Sequence, residues 1–195
     1  MNYKAALATA NNIPGSLVEL GFGKGNSLKE FIGYMNEGSI IKRNILIYES
    51  FSGYNTPSEK DNNAFQKGEF KRPPQPAFDM IHLINRDIKV QVGYIEDTLL
   101  KEVSTEPVAL VHSHLVSYTS TEFALEKLAS KLEVNGSFII TDYEAFPGTK
   151  SAVDEFYALH ASEFKLETNK AFAKLTKRTI TPIQSGVKRT RSVMT

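Results

Sequence analysis

VELGFGKGNS, residues Val18 to Ser27, closes an aliphatic run, inserts three alternating glycines and passes straight into helical sequence. The preceding "SLVEL" reads as a strand, and Leu28, Phe31, Ile32 and Met35 recur downstream on one helical face. Ser27 followed by Glu30 has the form of a capping box opening that helix. Strand, tight turn and helix in this order form the first half of a parallel crossover unit. Gly21, Gly23 and Gly25 would let the chain turn sharply and let a ligand approach the backbone, while the N–H groups at the helix start favour a carboxylate or phosphate.

The same alternation continues outward. "NILIYE" is a second strand, Phe78 to Ile84 has helical periodicity, "IKVQVGYI" is extended, and "PVALVH" has the unbroken apolar character of a strand buried on both faces. Thr119 with Glu122 suggests a second capping box, opening a helix through Leu125, Leu128 and Leu132 that Gly136 stops before the strand "SFIITD". "SAVDEFYALH" is the last helix, and "EFKLE" with "AFAKLTK" makes a terminal hairpin. The expectation is an α/β domain with a doubly wound, mostly parallel seven-stranded sheet and an antiparallel C-terminal edge hairpin. Residues 1–176 would form this domain and residues 177–195 a basic tail.

Composition narrows the function classes. The chain has 195 residues and 41% hydrophobic content, enough for one full-sized core. It has no cysteine, which excludes disulfides, zinc–thiolate sites and cysteine nucleophiles. Neither a signal-peptide pattern nor an apolar run of about 20 residues is present, so the expected location is cytoplasmic, with no membrane partner. After Glu167 come seven basic residues and no acid, beneath a net charge of only +1. The body is therefore acidic, which argues against nucleic acid as a partner.

Site residues follow from position. In open α/β sheets, ligands bind beyond the carboxyl ends of the strands, where the strand order reverses. A dinucleotide fingerprint, G-x-G-x-x-G, is broken by Asn26, and Glu19 would repel a pyrophosphate, so a nicotinamide oxidoreductase is disfavoured. Glu19 suits the cationic amino-acid end of a ligand. Glu49 closes the second strand, where an acid commonly accepts hydrogen bonds from ribose hydroxyls. Ser50 adjoins it, and Asp97, past the third strand, is expected to reach a purine. The long polar segment Phe51 to Pro76 carries Phe51, Tyr54, Phe65 and Phe70 and has the length of a functional lid.

Glu19, the three glycines and Glu49 together resemble the S-adenosylmethionine site of Rossmann-like class I methyltransferases. The stretches "YESFSGYNTPSEKDNNAFQKGEF", "EDTL", "YTSTEFALEKL" and "TDYEAFPGTKSAVDEFY" narrow the likeness, in that order, to the macrocin O-methyltransferase (TylF-like) family over about residues 16–158. The resemblance implies methyl transfer to a hydroxyl of a small acceptor such as a sugar or natural product, assisted by Mg²⁺ on carboxylates after the fourth and fifth strands. Here the chain departs from the family. "HLVSYTST" places His114 and Val116 at two acidic positions, and "TDY" leaves Thr141 and Asp142. Mg²⁺ demands hard oxygen ligands, so no metal is expected. His114 would instead remove the acceptor proton as general base, oriented by Asp142. His112, inside a strand, is expected to be structural. The alternative is a non-catalytic S-adenosylmethionine-binding protein. A homo-oligomer that completes an open acceptor pocket is compatible with the sequence.

Overall fold

The computed structural model describes residues 10–36, 43–84, 88–101 and 106–179. Helices alternate with strands: β1 (Ser16–Leu20), α1 (Asn26–Asn36), β2 (Ile45–Glu49), α2 (Gln75–His82), β3 (Ile88–Val92), α3 (Ile95–Lys101), β4 (Val108–Ser113), α4 (Tyr118–Leu128), β5 (Leu132–Thr141), α5 (Pro147–His160), β6 (Phe164–Thr168) and β7 (Phe172–Lys177). The sheet has seven strands in the order β3-β2-β1-β4-β5-β7-β6. The β3-β2-β1-β4-β5 pairings are parallel, whereas β7 pairs antiparallel with both β5 and β6.

The apolar runs explain the layers. On one face Val18, Leu20, Val111, Phe138 and Ile140 pack against Ile95 and Leu99 of α3, Ala124, Leu125 and Leu128 of α4, and Val153 of α5. On the other, Leu17, Ile45, Ile47, Leu110 and Ile139 meet Leu28 of α1 and Ala77 of α2. Alternation along each strand sends successive side chains to opposite faces, so a sheet covered on both sides needs continuous apolar runs. At about 25 cal/mol per Å² of apolar surface, each fully buried Leu or Ile contributes roughly 1.5–3 kcal/mol. The strand order reverses between β1 and β4, which places the crevice beyond their carboxyl ends.

Several local expectations shift. Ser27 lies inside α1 and spends its hydroxyl on Glu19 instead of capping a helix. The cap of α4 is Ser117, whose side chain accepts from the Ser120 amide, two residues before the expected Thr119. Leu132 opens β5 after a short 3-10 turn, Ala129–Lys131, and Gly136 lies within that strand. There a Cβ would meet the Glu133 carbonyl at 2.8 Å and that of Ala109 at 3.1 Å. Gly93 turns "IKVQVGYI" into β3 followed by α3, a helix that periodicity did not reveal. Lys177 belongs to β7 and so to the domain. The basic residues Lys188, Arg189 and Arg191 lie outside the described residues.

The segment after β2 is folded and tied down. Asp61, in a short 3-10 turn, is 2% exposed. One carboxylate oxygen accepts from the Tyr118 amide at the start of α4 (2.7 Å) and the other from the Ser58 amide (2.8 Å). A Cβ at Gly148, the second residue of α5, would fall 1.8 Å from that carboxylate, so glycine makes the room. Phe65 packs against Tyr54, Phe70 and Phe146, with ring centroids 4.9–5.4 Å apart.

Candidate active site

A cavity of about 430 Å³ opens at the carboxyl ends of β1, β2 and β4, within the range of ligand sites. The glycine turn forms its floor. Gly21 has φ +78°, a left-handed conformation that favours glycine, and its missing Cβ would lie 3.4 Å from the His114 carbonyl, an ordinary contact. Gly23 has φ +54° and nothing within 4 Å of its missing Cβ, so its backbone faces open space. Gly25 does a different job: it is buried beneath the turn, where a Cβ would fall 2.1 Å from Met80 Cε.

Glu49 stands on the wall, at the end of β2. Its two oxygens accept from the backbone amides of Phe22 in the glycine turn (2.7 Å) and Phe51 (2.8 Å). The carboxylate thus fastens together the two loops that frame the cavity, and each oxygen keeps a further lone pair for a ligand. Ser50 also lines the cavity.

Glu19 is not on the wall: it is fully buried one layer below, accepting from the Ser27 hydroxyl and contacting His112 Nδ1 at 3.0 Å. The β1–β4 register sets Glu19 directly beside His112, and α1 brings Ser27 over both. The group presented to a ligand is therefore Ser27, which does line the cavity. His112, expected to be structural, is 2% exposed and held by Glu19.

Asp97 is exposed and absent from the wall; its neighbour Glu96 occupies the place foreseen for it. Glu96 accepts from the Ser120 hydroxyl of α4 at 2.5 Å and from Asn55 of the covering segment at 3.3 Å. The first turn of a helix that begins two residues after Gly93 supplies this acid. Without recognising that helix, sequence alone could not choose between adjacent acids. Tyr54 and Phe70 reach the cavity, Phe65 supports them from behind, and Phe51 packs away on Phe78 at 5.8 Å.

His114 follows β4 and lines the cavity. Its Nδ1 lies 2.7 Å from Thr141 Oγ1, and that hydroxyl donates to the Ser113 carbonyl at 3.1 Å. The His112 ring meets the His114 ring edge-on at 4.4 Å. Burial, then the neighbouring His112, push the His114 pKa below its ordinary value, partly offset by Glu19 and Asp142. Asp142, at φ +57°, lines the cavity and acts on His114 through its charge; the hydrogen-bonding partner is Thr141. Sequence reading noticed Thr141 only as a missing acid.

The residues present suit an S-adenosylmethionine-type ligand: glycine backbone facing open space, an acid with spare lone pairs at the β2 end, and three wall carboxylates, Glu49, Glu96 and Asp142, toward a cation. They do not suit Mg²⁺. The cluster of possible ligands among the described residues is Glu19, His112 and His114, with ligand atoms within 4.8 Å of one another. One carboxylate and two imidazoles are far from the oxygen shell this ion requires.

Sheet order, glycine turn and acid at the β2 end define a Rossmann-like methyltransferase fold. Two solved structures share it: the O-methyltransferase NovP (TM-score 0.72, 21% identity, covering 90% of this chain and 79% of that one) and CalS11, a calicheamicin methyltransferase (TM-score 0.77, 18% identity, 89% and 76%). The profile of the macrocin-O-methyltransferase (TylF) family matches residues 2–172, and the chain belongs to that family. A curated relative, demethyldecarbamoylnovobiocin O-methyltransferase of Streptomyces niveus, is 27% identical over 158 residues, which is 76% of this chain and 60% of that protein's length.

Proposed function

We propose that this chain is an S-adenosylmethionine-dependent O-methyltransferase acting on a small hydroxylated acceptor, such as a sugar of a natural product, with His114 as proton acceptor in place of a metal. The observation that carries the reading is the position of His114. It stands just past the carboxyl end of β4, where the strand order reverses between β1 and β4, on the wall of the cavity that Glu49 and the glycine turn also line. The novobiocin-type relative and the family itself favour the same reaction class.

When bound, the donor supplies a sulfonium methyl as electrophile. Glu49 would accept from its ribose hydroxyls, Glu96 from the purine's exocyclic amine, and Ser27 from the ammonium of its methionine end. Tyr54, Phe70 and Phe146 give the cavity an aromatic wall. His114, kept neutral by burial, holds a lone pair for the acceptor's hydroxyl proton as the oxygen takes the methyl group.

Calorimetric titration with S-adenosylhomocysteine, followed by donor turnover against free and nucleotide-linked sugars and other hydroxylated compounds, tests the proposal. Expected are donor binding and turnover on at least one hydroxyl acceptor. Donor binding with no turnover on any acceptor would favour a non-catalytic binding protein, and binding of NADH alone would overturn the methyltransferase reading.

A further inference from the structure

His114 can act as a base only if one ring nitrogen is free, and the hydrogen-bond inventory around it decides which. A threonine hydroxyl has one proton to give. The Thr141 hydroxyl lies within reach of both the Ser113 carbonyl, 3.1 Å away, and His114 Nδ1, 2.7 Å away; the carbonyl can only accept, so with the proton given to it the oxygen meets Nδ1 as an acceptor. Nδ1 must then carry the ring proton, leaving Nε2 as the nitrogen with a lone pair. The opposite arrangement would turn the hydroxyl away from the carbonyl.

Three features fix this geometry. Ser113 pairs with Ile140 in the β4–β5 ladder, so Thr141, the next residue of β5, falls beside His114. Ser113 is fully buried, so its carbonyl is shielded from solvent. The His112 ring, held from behind by Glu19, abuts His114 edge-on at 82° and restricts its rotation.

We infer that Thr141 is a positioning residue that sets the tautomer of His114, holding the ring as Nδ1–H so that Nε2 takes the acceptor proton. This rests on the proposed role of His114 as base. Thr141 touches neither donor nor acceptor in this scheme; it acts through the imidazole.

The test is long-range ¹H–¹⁵N NMR of the histidine rings in the full chain saturated with S-adenosylhomocysteine, with steady-state kinetics of the same variants. Wild type should show His114 with a protonated Nδ1 and a pyridine-like Nε2. Thr141→Val should give mixed tautomers and lower kcat about fivefold, the scale of one neutral hydrogen bond, with donor KM unchanged. Thr141→Ser should restore both. A wild-type His114 protonated at Nε2, or a Thr141→Val protein with unaltered tautomer and kcat, would overturn the inference. His114→Ala separates the two levels. If it loses turnover while Thr141→Val keeps it, only the positioning role fails; if it turns over normally, the base itself is wrong.

Discussion

Glu49 is the residue at which stability and ligand binding are most directly coupled. Its carboxylate accepts two charge-assisted bonds, from Phe22 N at 2.7 Å and Phe51 N at 2.8 Å. Bonds to a charged group contribute about 1.5–3 kcal/mol each, and the partial exposure of Glu49 argues for the lower end. Glu49→Ala should therefore destabilise the fold by about 2–4 kcal/mol and free both cavity loops. Glu49→Gln keeps one acceptor oxygen but turns a donating amide NH₂ toward the other backbone N–H, so about half that loss is expected. For the donor, losing two ribose contacts should cost a further 2–3 kcal/mol, roughly 30- to 150-fold in Kd. Urea denaturation gives the first quantity and calorimetry with S-adenosylhomocysteine the second, measured below the variant's unfolding temperature. An unchanged denaturation midpoint would refute the loop-fastening argument. Lower stability with unchanged affinity would make Glu49 an organiser of the turn alone.

Other variants probe the remaining parts. Because the His114 pKa is lowered, the rate should rise with pH through a value below about 6.5 and be flat above neutrality, and His114→Ala should cut it roughly 10²- to 10⁴-fold; a profile still climbing at pH 8 would contradict this. The same depression makes the fold lose stability as pH falls below about 6.5, where the unfolded chain takes a proton that the folded one resists; thermal melts of wild type and His114→Ala across pH 5–8 should diverge there. Turnover should survive EDTA and respond little to added Mg²⁺; loss on chelation with recovery on Mg²⁺ would show that the metal chemistry persists. Asp61→Ala should cost about 2–4 kcal/mol by stranding the Tyr118 and Ser58 amides, and hydrogen exchange at those two amides should accelerate.

Much of the architecture was legible because its signal is local. A parallel sheet covered on both faces demands unbroken apolar runs, and "PVALVH" and "SFIITD" display them. The glycine turn and Glu49 could be placed on the same grounds, since strand ends are the only positions where such residues meet a ligand in this fold class. What remained hidden depends on register and depth. No pattern within "SLVEL" distinguishes a carboxylate on the cavity wall from one buried a layer below, because strand ladders decide it: Glu19 is drawn inward by His112 of a strand more than 90 residues away in the chain. The choice of Glu96 over Asp97 needed the start of α3, and the pairing of Thr141 with His114 needed the β4–β5 ladder. The segment after β2 looked like an open lid because nothing local announces that Asp61 will be buried under two helix starts.

Charge gives these pieces a common logic. If His114 takes the acceptor proton as proposed, it would gain the positive charge that the donor gives up, so the cavity's net charge would be conserved and merely displaced toward β4. Glu49 and Glu96 face the cavity from the end of β2 and the first turn of α3, whereas Glu19, beneath the turn, and Asp142, beside β5, favour the protonated ring. Negative charge is therefore present at both the origin and the destination of the displacement. A divalent ion on this wall would add positive charge where the protonated imidazole must form, and repel it. On the proposed reading the imidazole and a Mg²⁺ ion are competing solutions at one position, and His114 and Val116, where the family resemblance implies acids, favour the first.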